Sequence, residues 1–108
     1  MSKKITIVGQ GYVGLSLSVL LSQINSVTAL DVDEKKVNLI NKCQSPIKDK
    51  EIEDYLASKK LNLKATTNKN EAYKDASLVI IAVPTDYDIS TGSFNTKIVE
   101  DIIKDILL

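Results

Sequence analysis

The chain has 108 residues, with 14 lysines and no arginine set against 14 acidic side chains, so its formal net charge is zero. That length holds one domain rather than two, and the charge balance excludes a strongly basic nucleic-acid binder or an acidic tail protein. One cysteine, Cys43, cannot close an internal disulfide, and the lack of histidine argues against a zinc site and removes the commonest general base.

In chain order, residues 5–8 (Ile-Thr-Ile-Val) predict a short β-branched strand cut off by Gly9. Residues 12–24 predict a buried helix, apolar on most sides, in which Ser16, Ser18 and Ser22 are small enough to let it lie close on a sheet. A second strand is expected over 27–32, then a helix from Asp33 or Glu34 to about Cys43 with Val37, Leu39 and Ile40 inward. Ser45-Pro46 marks a turn, and residues 51–60 return to helical spacing through Ile52, Tyr55 and Leu56. Residues 63–66 fit a short strand. Asn68 with Glu71 has the form of a capping box for a helix to about Lys74.

Residues 78–83 are continuously apolar, the pattern of a strand covered on both faces, and Pro84 stops them. Residues 86–95 read as a polar loop containing Gly92, and 96–107 as a final amphipathic helix with Ile98, Val99, Ile102, Ile103 and Ile106 on one face. The expected fold is α/β: a Rossmann-type, doubly wound parallel sheet in partial form, strand order 3-2-1-4, within a three-layer αβα sandwich. The order ends on a helix where such a pattern continues with a strand, so residues 1–108 are expected to be one domain of a longer chain. No apolar run approaches the ~20 residues of a membrane helix. No secretory signal is read at the start, and a reduced, cytoplasmic domain is expected.

Residues 9–14, Gly-Gln-Gly-Tyr-Val-Gly, fit the G-x-G-x-x-G turn. The pattern follows a predicted strand, opens a predicted helix, and is matched by Asp31 at the end of the next strand, which lifts it above a chance match. Gly9 allows the turn out of the strand, Gly11 lets a pyrophosphate approach the backbone, and Gly14 lets helix and strand touch. Asp31 stands where a carboxylate accepts ribose hydroxyls and repels a 2′-phosphate, which favours NAD over NADP. An N-cap role is the other reading of Asp31, and Asp33 suits that role equally well. Lys35 and Lys36 lie close by, but no arginine is present to fork onto a 2′-phosphate. Val83, Pro84 and Thr85 follow the apolar strand at the edge that faces the ligand crevice in open α/β sheets, as a crevice wall or as a plain strand-ending turn. Cys43 has no neighbouring base to activate it and reads as a structural thiol.

These residues resemble the UDP-glucose/GDP-mannose dehydrogenase family. The resemblance rests on Gly-Gln-Gly-Tyr-Val-Gly-Leu at 9–15, Asp-Val-Asp at 31–33, Lys36-Val37, Ser-Pro-Ile at 45–47 and Val-Ile-Ile-Ala-Val-Pro-Thr at 79–85, in the family's order. It implies an amino-terminal NAD-binding domain. The whole enzyme would oxidise the C6 alcohol of UDP-glucose twice, through a thiohemiacetal on a cysteine, giving the uronate and two NADH. It also implies cofactor contacts at residues 9–14, including the Tyr12 and Val13 backbone. Asp31 would hold the ribose, Lys36 would approach the adenosine end, and Thr85 would line the crevice, beside the wall read above for Val83. Catalytic residues, the nucleotide-sugar contacts and a homodimer interface would belong to later segments, and no metal is implied. Dehydrogenases of UDP-N-acetylmannosamine and GDP-mannose share the pattern, and an NAD-sensing regulatory module is the reading from another class. Cys43 stands where many members have glycine, which puts the end of the second helix in question, and Asp86 where many have a second proline.

Overall fold

A parallel sheet is built around the β-branched run Lys4–Val8 (β1), whose alternate residues point to opposite faces. The computed structural model describes residues 3–58, 60–83, 86–88, 93–95 and 97–107, with the backbone alone at 86–88, 93–95 and 98. β1 is followed by α1 (Tyr12–Leu21), β2 (Ser26–Leu30), α2 (Glu34–Asn41), α3 (Lys50–Ser58) and β3 (Leu63–Thr66). Then come α4 (Lys69–Tyr73), β4 (Leu78–Ile81), β5 (Asp86–Asp88), β6 (Ser93–Asn95) and α5 (Lys97–Leu107). The main sheet has the order β3-β2-β1-β4. β1 runs parallel to both neighbours, with Ile5 opposite Val27 on one side and Leu78 on the other. This is the doubly wound, Rossmann-type order that the alternating strands and helices predict.

The two faces of the sheet carry different helices. Ala29 and Ala65 pack with Leu15 and Val19 of α1, Val37 and Ile40 of α2, and Ile52 and Leu56 of α3. Ile5, Ile7 and Val27 extend this apolar layer beneath Leu17 and Leu21. On the opposite face Val8 and Leu30 meet Ala72 and Tyr73 of α4 and Ile102 of α5. That face is the more polar: the buried Thr6 hydroxyl donates to the Ala72 carbonyl, and Thr28 and Thr66 are also buried. The Tyr73 hydroxyl is buried there without a hydrogen-bond partner among the described residues, and burial, then Asp105, pushes the phenol up. At the sheet margin Lys64 pairs with Glu71 and draws its carboxyl below the usual range.

Several sequence expectations are corrected in detail. β2 stops at Leu30 because the Asp31 side chain turns to backbone N–H groups of two neighbouring segments, and Val32 projects outward, 97% exposed. α1 ends at Leu21, where the Asn25 side chain and backbone N–H both bond the Leu21 carbonyl. β4 touches both faces but is not fully covered, with Leu78 48% exposed. Ile103 on α5 is exposed rather than buried. The expected polar loop at 86–95 contains β5 and β6, an antiparallel pair apart from the main sheet with Tyr87 opposite Phe94 in register. Strands of three residues are too short for alternation to reveal them, and Gly92 lies outside the described residues. No helix among the described residues is long and apolar enough to cross a membrane.

Candidate cofactor site

The carboxyl edge of the sheet gathers the glycine turn after β1, Asp31 after β2 and Val83 beyond β4. Gly9 leaves β1 with φ of +93°, a conformation that L side chains rarely adopt. A Cβ there would also lie 2.8 Å from the Ala82 carbonyl oxygen and 3.0 Å from Val83 Cγ1. At Gly14 a Cβ would fall inside the Gly9 carbonyl, so α1 and the loop touch at a distance that only hydrogen permits. Gly11 differs. Its φ is −74°, and a Cβ there would meet nothing within 4 Å. Nothing in the fold demands a glycine at 11, which leaves clear backbone facing open space.

Gly11 is also the N-cap of α1, with no side-chain cap and no acidic residue in the first turn. The starts of α2, α3 and α4 are each capped by a side chain. Asp33 takes the Lys35 and Lys36 N–H groups, Asp49 the Ile52 N–H, and Asn68 the Glu71 N–H. The first turn of a helix leaves N–H donors without partners and carries the positive end of the dipole. At α1 these donors sit beside a glycine with nothing above it, which suits a pyrophosphate. Tyr12 and Val13 lie here, both exposed.

Asp31 is half-buried, and both of its oxygens accept backbone hydrogen bonds. Oδ2 takes the Gln10 N–H at 2.7 Å, and Oδ1 takes the Asp33 N–H at 2.8 Å. Asp33, not Asp31, caps α2, so the N-cap reading of Asp31 falls away. A carboxylate has about four lone-pair sites, so two N–H bonds leave it able to accept ribose hydroxyls as well. Lys36 stands in the first turn of α2, capped by Asp33, and Val32, just after Asp31, offers an exposed apolar surface. Val83 is half-buried against the glycine turn, while Pro84 and Thr85 lie outside the described residues.

Cys43 is brought to none of these. It lies at the far end of α2, about 12 Å of helix away from Asp31's end. Its φ is 61°, and the end of α2 closes as a glycine would close it: Cys43 N–H to the Ile40 carbonyl at 3.0 Å and Gln44 N–H to that of Leu39 at 2.9 Å. Sequence reasoning passed over Gln10, an unspecified position in the pattern, although its side chain is fully buried beneath the loop. The one available signal was its place between Gly9 and Gly11, where the chain turns sharply enough to send a side chain inward.

The chain matches the model of the UDP-glucose/GDP-mannose dehydrogenase family, NAD binding domain, over residues 3–107. It is 52% identical over 101 residues to UDP-glucose 6-dehydrogenase of Streptococcus pneumoniae, covering 94% of this chain and 26% of that one. It is 48% identical over 105 residues to the enzyme of the same name from Campylobacter jejuni, covering 95% and 27%. A crystal structure of a ternary complex of GDP-mannose dehydrogenase from Pseudomonas aeruginosa superimposes with a TM-score of 0.82 at 30% identity, over 94% of this chain and 24% of that one. The chain thus spans about a quarter of the length of each of these relatives.

Proposed function

The chain belongs to the UDP-glucose/GDP-mannose dehydrogenase family, whose NAD binding domain it matches, and from that premise we propose that it is the cofactor domain of a UDP-glucose 6-dehydrogenase. NAD, when bound, supplies a hydride acceptor for the oxidation of an alcohol. The α1 N-terminus at Gly11, Tyr12 and Val13 binds the pyrophosphate, with Gly9 and Gly14 shaping the turn beneath it. Asp31 accepts the adenosine ribose hydroxyls and disfavours a 2′-phosphate. Lys36 lies at the adenosine end, and Val83 and Thr85 line the crevice. The observation that carries this reading is the open Cβ position at Gly11 above an uncapped helix start. This chain contributes binding and orientation, and the sugar oxidation draws on residues outside it.

The choice of UDP-glucose rests on the relatives of 52% and 48% identity. A GDP-mannose oxidation is the second reading, favoured by the superposition on GDP-mannose dehydrogenase. A homodimeric, cytoplasmic enzyme accompanies either reading as an expectation of the family resemblance.

Calorimetry on the chain and its Asp31→Ala variant tests the cofactor assignment. Loss of a charged hydrogen-bond acceptor is expected to cost about 1.5–3 kcal/mol, roughly ten- to 150-fold in NAD affinity, with a smaller loss for NADP. Equal NAD affinity in both proteins removes Asp31 from the site. For the substrate, NADH absorbance with the enzyme that carries this domain is expected to show two NADH per UDP-glucose. A response to GDP-mannose alone reassigns it.

A further inference from the structure

Gln10 has no exposed surface, yet its side chain is an amide where an apolar residue of equal size would fit the interior without desolvation. Nε2 donates to the Ile7 carbonyl at 3.0 Å, and Oε1 accepts from Ser18 Oγ at 2.9 Å. The Ile7 carbonyl can only accept, so the amide has one orientation, nitrogen toward β1 and oxygen toward α1. Ser18 Oγ also lies 2.9 Å from the Gly14 carbonyl oxygen, so its single proton is divided between the amide and the start of α1. Above this buried anchor, the Gln10 backbone N–H points to Asp31 Oδ2 at 2.7 Å. One residue therefore joins the end of β1, the body of α1 and the carboxylate after β2.

We propose that Gln10 is a positioning residue for the cofactor. Its buried amide fixes the backbone of the loop so that its own N–H holds Asp31, and so sets the spacing between the ribose acceptor and the N–H groups at Gly11 and Tyr12. The proposal rests on the reading of residues 9–14 and Asp31 as the NAD site. Without the anchor, residue 10 is free to rotate, Oδ2 loses its fixed donor, and binding must order both groups at the moment of contact. Gln10 touches no cofactor in this scheme; it acts through Asp31.

Two measurements on the 108-residue chain test this. Gln10→Met keeps length and volume while deleting both side-chain hydrogen bonds. In the ligand-free protein, exchange of the residue 10 amide proton is expected to rise about tenfold while the β1 amides stay protected. NAD affinity by calorimetry is expected to fall about tenfold, and by less than about twofold when Asp31→Ala is already present, because coupled residues do not add. An unchanged residue 10 exchange rate overturns the proposal, as does an affinity loss that is the same with and without Asp31. If Gln10→Met does not fold, Ser18→Ala decides: about threefold weaker NAD binding with faster residue 10 exchange supports the role, and parent-like values refute it. A parent chain that fails to bind NAD counts against the cofactor site itself, and the exchange rate of residue 10 still decides whether Gln10 holds the loop.

Discussion

The inner and outer sides of the glycine turn obey different rules. On the inner side, Gly9 lies against the backbone of Ala82 and Gly14 against that of Gly9, and the Gln10 amide is sealed beneath them. On the outer side, Gly11 has nothing within 4 Å of where a side chain would start, and Tyr12 beside it is 60% exposed. Two glycines are therefore required by the fold, and the third is free to serve a ligand. A single pattern in the sequence merges two separate demands, and the structure pulls them apart.

The contrast can be broken first on the inner side. Gly14→Ala places a methyl group where backbone atoms already stand and have no room to give. The expected loss is about 3 kcal/mol or more, a large part of the stability of a small domain. Thermal or urea unfolding reads this directly, and a variant within about 0.5 kcal/mol of the parent would show that α1 can shift off the loop.

The outer side is broken by Gly11→Val. The extended backbone at this position accepts valine, so circular dichroism should stay close to the parent and the loss of a glycine cap should cost about 1 kcal/mol or less in unfolding, while NAD binding falls by about a hundredfold or beyond measurement. A variant that binds normally would mean that the pyrophosphate does not pass over Gly11.

A smaller effect sharpens the inner case by dividing it. Gly9 combines a left-handed backbone with a lack of space, whereas Cys43 has the left-handed backbone alone, on an exposed helix end. Cys43→Gly is expected to stabilise the chain by about 0.5–1 kcal/mol, since it relieves a conformation that costs an L residue about 1–2 and gives part of that back as chain entropy. If unfolding shows no gain, the left-handed backbone at the end of α2 does not by itself call for a glycine.

Much of this was legible in the residues. Alternating β-branched runs and helical spacings identified the sheet and its order, because strand type and crossover handedness leave few arrangements. The turn at 9–14 with Asp31 marked the site. What escaped was set by side chains bonding to backbone outside their own element. Asp31 reaches the Gln10 N–H and Asn25 reaches the Leu21 carbonyl, and these bonds end β2 and α1 earlier than apolar content suggests. Gln10 escaped for a related reason: a polar residue in a turn reads as exposed until the fold closes over it. The unequal faces of the sheet were hidden too, since Thr6 and Thr28 count as polar in composition and as core in place.

The seat of the glycine turn is assembled from chain that lies far apart in synthesis. β1 meets β2 across a single helix, but it meets β4 only after β2, β3 and four helices have been made, and Ala82, just past β4, bonds Val8 and walls Gly9 and Gly14. Closing so long a loop is slow relative to local pairing. β1 and its glycines, which are made before β4, therefore reach their working geometry only once β4 has joined the sheet. Competence to hold a dinucleotide arrives with the closing of the sheet, when β4 docks on β1.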